Sequence, residues 1–494
     1  MKRTIAVVVL FVSLCLGVIA DVIVRDVASG LGMFLWICGV ACAVWVLQHL
    51  ARVELAQGWK WMTAAAIVMA GAFLWRDSEA VQAYAFLAAA GAGILTTLRG
   101  NQTRLEALGM LECGHAAVAS VFHAAIGLPM LVFSDIRWEE MKAGRASRMV
   151  DVVRGLAIAG PVILVIGALF VGADAVFKSL VYEVFDIDLA WIMKHIFFTG
   201  FITWGIAGFL RGTFIAKPVP FPYAERKIFT LGMTEVGIVL GSSILLFALF
   251  IAVQFRYLFG GADLVLVTPS MTYADYARRG FFELTTVVAI VLPLLLALDW
   301  LLRKENPAHV RIFRILTATQ IVLLFAVIAS ALQRMLLYQQ EYGLTESRIY
   351  TVAFMGWMAL VLVWYGLTVL AGRRSRFAIG AVGGAFITIL ILLVLNPDDL
   401  IARTNIQRAN EGKSIDTRYL SQLSDDAVPA LMEGLPTLDR ESRIAVAHNL
   451  LQRKQRLEAR DWRSWNWSSH AALQTLSAHE EQLRATAHSS TSGR

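Results

Sequence analysis

Charged and titratable side chains stand inside long apolar runs of this sequence, where an unpaired charge is costly. Glu235 lies eight residues into the apolar run 228–254. A charge at the centre of a bilayer costs about 2.5–3.5 kcal/mol on insertion scales, so such residues are candidates for function. The functional interpretation is a proton or cation path with a histidine relay; the structural one is a hydrogen bond to a neighbouring helix, or snorkelling to the interface. Four further residues of this type lie nearer the ends of apolar runs: Glu283, Asp299, Asp174 and His195.

A second set of residues has side chains that bind metal ions. Glu112, His115 and His123 fall within about 80° of one face of a helix at 3.6 residues per turn. His115 and His123 would be about 12 Å apart along the axis at 1.5 Å per residue, whereas zinc ligands lie about 2 Å from the metal. A three-ligand site would therefore need another helix. We treat the three residues as weak metal candidates and predict no cofactor.

The composition indicates a membrane protein. Of 494 residues, 57% are hydrophobic and 16% are charged, and the mean hydropathy is +0.63. Soluble domains carry about 25% charged residues, and disordered chains have low hydrophobicity. The net charge of +7 is distributed in short clusters between apolar runs rather than in one patch, so the sequence predicts a lipid bilayer and not a nucleic acid as its surroundings.

Apolar runs long enough to cross a bilayer recur along the chain. About 20 apolar residues are needed, because every backbone polar group must be bonded within the segment. The sequence therefore predicts an all-α, polytopic helical membrane protein with about 11–12 transmembrane helices. The runs are 4–20, 31–50, 61–76, 80–98, 112–134, 155–174, 191–210, 228–254, 281–302, 312–332, 349–371 and 377–396.

The positions of Lys and Arg predict the orientation. From residue 136 onward, alternate connections are rich in basic residues, which places them in the cytoplasm and the C-terminal tail on the exoplasmic side of a bacterial inner membrane. A cytoplasmic N-terminus then requires that one early run does not cross. We assign that role to 112–134, the run with the most polar interruptions, as a re-entrant or interfacial helix. Eleven spans result.

The chain divides into segments by composition. The tail is polar, with leucines at three- to five-residue spacing broken by Pro436, which predicts short amphipathic helices. Because roughly 70 helical residues make a thin core alone, the tail is expected to lie on the membrane or the outer loops. Gly343 is predicted to end one helix and Thr345 to cap the next. The segments are N-terminal helices 1–135, a membrane core of seven helices 136–396, an exoplasmic helical tail 397–485 and a disordered end 486–494.

Aromatic residues cluster in the predicted outer segments. Tyr273 and Tyr276 share a helix face beside Arg278, in the manner of rings at the headgroup level. Tryptophans in the tail could stack on a sugar or nucleotide, but a tail lying against headgroups would use the same rings as an anchor, which we favour. These tryptophans are Trp462, Trp465 and Trp467.

Several stretches of the sequence carry a resemblance to a known family. They include YLSQLSDDAVPAL at 419–431 and NPD at 396–398. Together they resemble an uncharacterised family of bacterial multi-pass membrane proteins, domain of unknown function 4173, related to the 4153 group. The first 110 residues match poorly. The resemblance implies a polytopic inner-membrane protein and implies no activity. The other stretches are 169–177, 254–261, 273–284 and 334–345.

These observations leave three classes of function for the protein. Motifs of soluble enzymes such as G-x-x-x-x-G-K-[ST] or H-E-x-x-H do not occur, so no enzyme activity is predicted. We expect a structural or signalling protein whose tail contacts an envelope or membrane protein partner. The alternatives are a proton- or ion-coupled transporter with Glu235 in its core, and a transferase acting on a lipid-linked substrate at the outer face, through Asp263, Asp275 and Arg278.

Overall fold

The described part of the chain is helical. The computed structural model describes residues 2–27, 29–96, 109–136, 189–217, 230–259 and 281–488, with single positions between 155 and 174. These residues contain no β-strand, and ten of their helices are long and apolar enough to cross a membrane. The all-α, polytopic prediction is confirmed. Most of the predicted run 155–174 lies outside the described residues.

The helices form a bundle followed by a tail of shorter helices. In the bundle they are α1 Lys2–Ile23, α2 Leu31–Ala51, α3 Trp59–Ala70, α4 Ala72–Trp75, α5 Glu79–Thr96, α6 Met110–Met130, α7 Leu189–Phe214, α8 Met233–Phe259, α9 Phe281–Leu301, α10 Pro307–Tyr342, α11 Glu346–Tyr365 and α12 Phe377–Leu395. In the tail they are α13 Pro397–Asn410, α14 Thr417–Gln422, α15 Val428–Gly434, α16 Arg440–Glu458, α17 Trp467–Ala478 and α18 Glu480–His488.

Helix α10 is much longer than the sequence predicts. Its 36 residues span about 54 Å at 1.5 Å per residue, whereas the hydrocarbon layer is about 30 Å thick and the predicted run was 312–332. It begins where Asn306 accepts a hydrogen bond from the Ala308 N–H at 2.8 Å, and it ends at Gly343, whose φ is +77°. The predicted helix end at Gly343 and the N-cap position of Thr345 are confirmed. The extra turns at its C-terminal end carry α10 to the tail, where the Glu341 carbonyl accepts from Arg408 at 2.7 Å.

The tail packs against one end of the bundle, which we call the tail face; the other end is the far face. Three connections reach the tail. The Leu31 N–H donates to the Trp465 carbonyl at 2.9 Å, the segment 75–78 contacts Asp426, and the Leu344 N–H donates to Asn405 at 2.8 Å. The ends of α1, α4 and α10 and the starts of α2, α5 and α11 therefore share the tail face.

Helix α6 makes contacts at the far face with both of its ends. Near its start, Cys113 packs on Ala56, just after the end of α2. After its end, Asp135 pairs with Arg211, near the end of α7, at 2.5 Å. By length and composition the segment is a candidate span, but these contacts fit the interfacial arrangement that the sequence predicts, which stays a prediction.

The tail shares its apolar core with the bundle. Leu344, Ile349 and Leu392 from the bundle belong to one buried cluster with Ile401 and Leu431 from the tail. The tail therefore packs on the bundle at the tail face. The last helix also continues to His488, beyond the boundary at 485 that the sequence predicted.

Substitution of Gly343 by alanine is expected to loosen the tail. At φ +77° and ψ −175° the backbone is in a region that only glycine adopts readily, and an added Cβ would overlap Asn405 Oδ1 and Arg408 Nη1. The matched control is Gly412→Ala, where φ is +85° but nothing lies within 4 Å. Protease resistance of the tail on heating should fall clearly more for Gly343→Ala than for Gly412→Ala; equal losses would contradict the docking role.

Candidate functional site

Buried charges concentrate where the segment 75–78 meets the tail turn 424–427. The carboxylate of Asp426 accepts hydrogen bonds from the backbone N–H groups of Asp77 at 2.8 Å and Ser78 at 3.0 Å. These groups immediately precede α5, and N–H groups at a helix start lack partners within the helix. A negative charge is also stabilising there. A tail residue thus caps a helix of the bundle.

The capping is reciprocal. The Asp77 carboxylate accepts a hydrogen bond from the backbone N–H of Asp425 at 3.2 Å. Asp425 begins the short 3-10 turn that leads into α15. Each segment therefore supplies an aspartate to the helix start of the other. We call Asp77, Asp425 and Asp426 the aspartate exchange.

Arg76 connects this exchange to the end of α12. Its guanidinium pairs with Asp426 at 3.2 Å and donates from Nε to the Leu393 carbonyl at 2.8 Å. It also lies over the Trp75 ring, with Cζ 4.7 Å from the ring centroid. The arginine thus balances the charge of Asp426 and satisfies a carbonyl oxygen at a helix end that has no partner within the helix.

Two arginines of the tail balance the other carboxylates. Arg460 reaches Asp77 at 2.9 Å with one nitrogen and Asp425 at 3.1 Å with another. Arg453 lies 3.7 Å from Asp425 and donates to the Leu423 carbonyl at 2.6 Å. Buried charges require partners of this kind.

The first turn of α17 completes the cluster. Asn466 caps α17 and also donates to Asp77 at 3.1 Å. The Ser469 hydroxyl lies 2.8 Å from a carboxylate oxygen of Asp425, and the Ser468 hydroxyl lies 2.5 Å from Asp426. Hydroxyl and amide donors thus share the carboxylate oxygens that Arg460 and Arg76 contact.

A second acidic group lies next to this cluster. Asp398 is fully buried and accepts hydrogen bonds from the backbone N–H and the hydroxyl of Ser424. Burial raises the pKa of Asp398 to about 7, the Ser424 hydrogen bonds oppose the rise, and the neighbouring Glu346 carboxylate adds to it. Glu346 begins α11, and its backbone N–H donates to the Tyr419 hydroxyl at 2.9 Å. The Asp398 carboxyl therefore releases its proton at a higher pH than an ordinary aspartate does.

Opposite pKa shifts within the exchange have physical causes. Burial raises the pKa of Asp425 to about 6, and the charge of Asp77 raises it further, against Arg453 and Arg460. Burial would also raise the pKa of Asp77, but the charge of Arg460 and several hydrogen bonds outweigh it, so the pKa of Asp77 is lowered. One carboxylate stays charged while its neighbour takes up a proton more readily. The arrangement is suited to docking the tail on the bundle.

The structure places the predicted intramembrane residues mainly at helix ends. Glu235 and Glu283 are exposed in the first turns of α8 and α9, and Asp174 is exposed. Asp299 is buried near the end of α9 and pairs with Lys304 at 2.7 Å. Glu235 and Glu283 thus lie at the starts of their helices, and Asp299 lies near the end of α9.

His195 pairs with a residue that the sequence analysis did not single out. Its Nδ1 lies 2.5 Å from a carboxylate oxygen of Asp21, near the end of α1. Asp21 also pairs with Arg25 at 2.9 Å. Sequence reasoning misses this pair, because Asp21 directly follows the apolar run 4–20 and lies 174 residues from His195 along the chain.

The weak metal candidates Glu112 and His123 make different structural contacts. Glu112 accepts the Gly109 N–H at 2.9 Å and so caps its own helix, and the His123 ring packs on Gly212. Among the described residues, no group of three His, Cys, Asp or Glu side chains is arranged to hold a metal. His115 is therefore in no such group. Tyr273, Tyr276 and Arg278 lie outside the described residues.

Comparison with known proteins identifies a family without assigning an activity. The model of the domain of unknown function DUF4153 matches residues 63–434. The chain belongs to this family. The match begins at residue 63, although the first 110 residues resemble the family poorly in the sequence analysis. Of the two related groups that the resemblance names, the matching model is that of the 4153 group. No curated protein and no solved structure matches the chain.

The family match contains much of the docking site. Arg76, Asp77, Asp398 and Asp426 lie within 63–434, whereas Arg460 lies beyond it. The stretches 334–345, 396–398 and 419–431, which carried the resemblance, all end near the tail face. One sequence signal could have indicated this site: two aspartates precede a proline-containing helix start in 424–429. That signal indicates a cap but names no partner.

Replacing Asp426 by alanine is expected to undock the tail. The change leaves two backbone N–H groups without their acceptor and the Arg76 guanidinium without its carboxylate partner. Breaking a buried ion pair costs about 3–5 kcal/mol. The control is Asp439→Ala, which removes a cap from α16 within the tail at a cost of about 1 kcal/mol. Protease release of the tail should rise strongly only for Asp426→Ala. A similar response of both variants would show that the exchange does not hold the tail.

Docking of the tail is expected to weaken as the pH rises. Because the pKa of Asp398 is raised from 3.8 to about 7 in the folded state, the docked tail binds a proton more tightly than the undocked tail. The contribution of Asp398 to the stability of the docked tail is therefore fully present below about pH 4 and is lost as the pH rises to about 7. Asp398→Asn should flatten this decline in thermal protease assays between these values, whereas the control Asp399→Asn should keep it. An unchanged slope in Asp398→Asn would contradict this assignment.

Proposed function

We propose that this integral membrane protein is a structural or signalling component of the bacterial inner membrane, and that its tail is a rigid platform for an envelope protein partner. The aspartate exchange carries the proposal, because it fixes the tail to the bundle through buried charge rather than through a flexible linker. A surface held in one orientation loses less conformational freedom when it binds a partner.

The distribution of basic residues supports an exoplasmic tail. The far face carries Arg211, near the end of α7, Arg303 and Lys304 after α9, and Arg373 and Arg374 before α12. Lysine and arginine are retained preferentially on the cytoplasmic side. The N-terminus of α1 then lies in the cytoplasm and the tail on the exoplasmic side.

No observation favours the two alternative functions over this one. The transport alternative requires Glu235 in the membrane core. That side chain lies exposed in the first turn of α8. The residues that would serve a transferase, Asp263, Asp275 and Arg278, lie outside the described residues.

The proposal is tested in cells that lack the native gene. A photo-crosslinking amino acid replaces His448, which is exposed on α16, in the otherwise unchanged chain and in Asp426→Ala. We expect a discrete crosslinked protein with the docked tail and its loss in Asp426→Ala, because undocking removes the fixed orientation of the platform. Asp439→Ala is the matched control and should keep the crosslink.

Two further measurements complete the test. A cysteine at His448 should react with a membrane-impermeant maleimide added to spheroplasts, whereas a cysteine at Lys304 should react only after lysis; the reverse pattern would overturn the orientation. A chain that ends at Asn396 should insert but fail to restore resistance to envelope stress in the deletion strain. Full restoration by that chain would overturn the platform function.

A further inference from the structure

The tail turn 462–467 is attached to the bundle where helix α1 ends and helix α2 begins. The Trp465 carbonyl accepts from the N–H of Leu31, the first residue of α2, at 2.9 Å. Arg463 donates to the carbonyl of Val22, one residue before the end of α1, at 2.5 Å. Gly30, with φ +81°, is in such close contact that an added Cβ would overlap the Ser464 backbone. The turn therefore lies level with the ends of two helices that are long and apolar enough to cross a membrane.

The indole rings of this turn are exposed. Trp462 and Trp467 are each 60% exposed, and Trp465 is 41% exposed. Exposed large apolar surface of this kind marks an interaction site. All three rings lie within six residues at the turn that is bonded to the ends of α1 and α2, and we call these three rings the tryptophan surface.

Apolar residues of the neighbouring helix continue this surface toward the bundle. Val18, Ile19 and Val22 on α1 are exposed, as expected of side chains that face lipid. On the other side, the Ser468 hydroxyl donates to the Trp75 carbonyl at 2.9 Å, and the Trp75 side chain is also partly exposed. The tryptophan surface thus borders apolar helix surface below it and polar tail above it.

Charged groups beside the surface suit the headgroup layer. Arg463 pairs with Asp461 at 2.9 Å, and Lys194 pairs with Asp26 at 2.8 Å at the adjacent end of α1. Tryptophan prefers this layer because its ring is apolar while its N–H needs an acceptor. A protein partner would instead be expected to cover the rings without regard to the depth of the membrane.

We propose that Trp462, Trp465 and Trp467 lie in the lipid headgroup layer at the tail face and anchor the tail to the bilayer. Lipid is the occupant that the position at the ends of α1 and α2 favours. The inference does not depend on a protein partner, and it holds whichever side of the membrane the tail face occupies. It adds a second attachment of the tail, to lipid, beside the aspartate exchange.

Depth-dependent quenching tests the anchor in the full chain. Cys15, Cys38, Cys42 and Cys113 are replaced by alanine, a bimane label is placed on Trp467→Cys or Trp462→Cys, and the protein is reconstituted in phosphatidylcholine nanodiscs. Nitroxide lipids labelled at the headgroup should reduce the emission of both sites, and nitroxides deep in the acyl chain should do so much less. The matched control is His448→Cys, on the exposed face of α16, which should keep its emission with either lipid.

Each other outcome overturns the proposal. Emission at both sites that is no more quenched than at His448, with free access to iodide, would place the tryptophan surface in water. Emission that is protected from iodide but unquenched by every nitroxide lipid would indicate that a second copy or another protein covers it. Protease resistance of the tail, measured on each labelled protein, establishes that the readout comes from the docked tail.

Discussion

Buried charge is the constraint on which the arrangement of this molecule depends. The side chains of Asp425 and Asp426 are nearly inaccessible, and a buried carboxylate is tolerated only when it is paired and hydrogen-bonded. Their partners come from both sides of the tail face, namely Arg76 and the segment 77–78 of the bundle and Arg460 of the tail. Neither side is satisfied without the other. The tail and the bundle are therefore interdependent in stability, a conclusion that the shared apolar cluster around Leu344 and Leu392 reinforces.

The helices were predictable and the docking site was not, for different physical reasons. A segment that crosses lipid must bond its own backbone, so hydropathy alone predicts helices. The expectation that the tail would lie on the outer loops followed from its thin core. The aspartate exchange joins residues about 350 positions apart, Asp77 with Asp425 and Asp426. In the sequence each of these aspartates resembles an ordinary helix cap, and a cap does not reveal that its helix belongs to another part of the chain.

The depth of a charged residue depended on where a helix begins. The apolar run 228–254 includes residues before α8, which starts only at Met233. This shift of five residues moves Glu235 from a predicted position inside the bilayer to the first turn, where a carboxylate is stabilised by the free N–H groups. His195 shows a different problem. It lies within an apolar helix as predicted, but its partner Asp21 is 174 residues away along the chain. Hydropathy therefore predicts elements better than the environment of individual polar groups.

The tail also connects parts of the bundle that are far apart in the chain. It contacts the first helices through the segments 22–31 and 75–78, and it contacts the later helices through 341–346 and the end of α12. Arg76 ties the carbonyl end of α12 to the same carboxylate that caps α5. Hydrogen bonds of this kind weaken steeply with misalignment, so a relative movement of α5 and α12 would strand a buried charge. The docked tail consequently opposes rearrangement between the two halves of the bundle. A change in the protonation of Asp398, which lies in the first turn of α13 and accepts from the Ser424 N–H, would act on the same contacts.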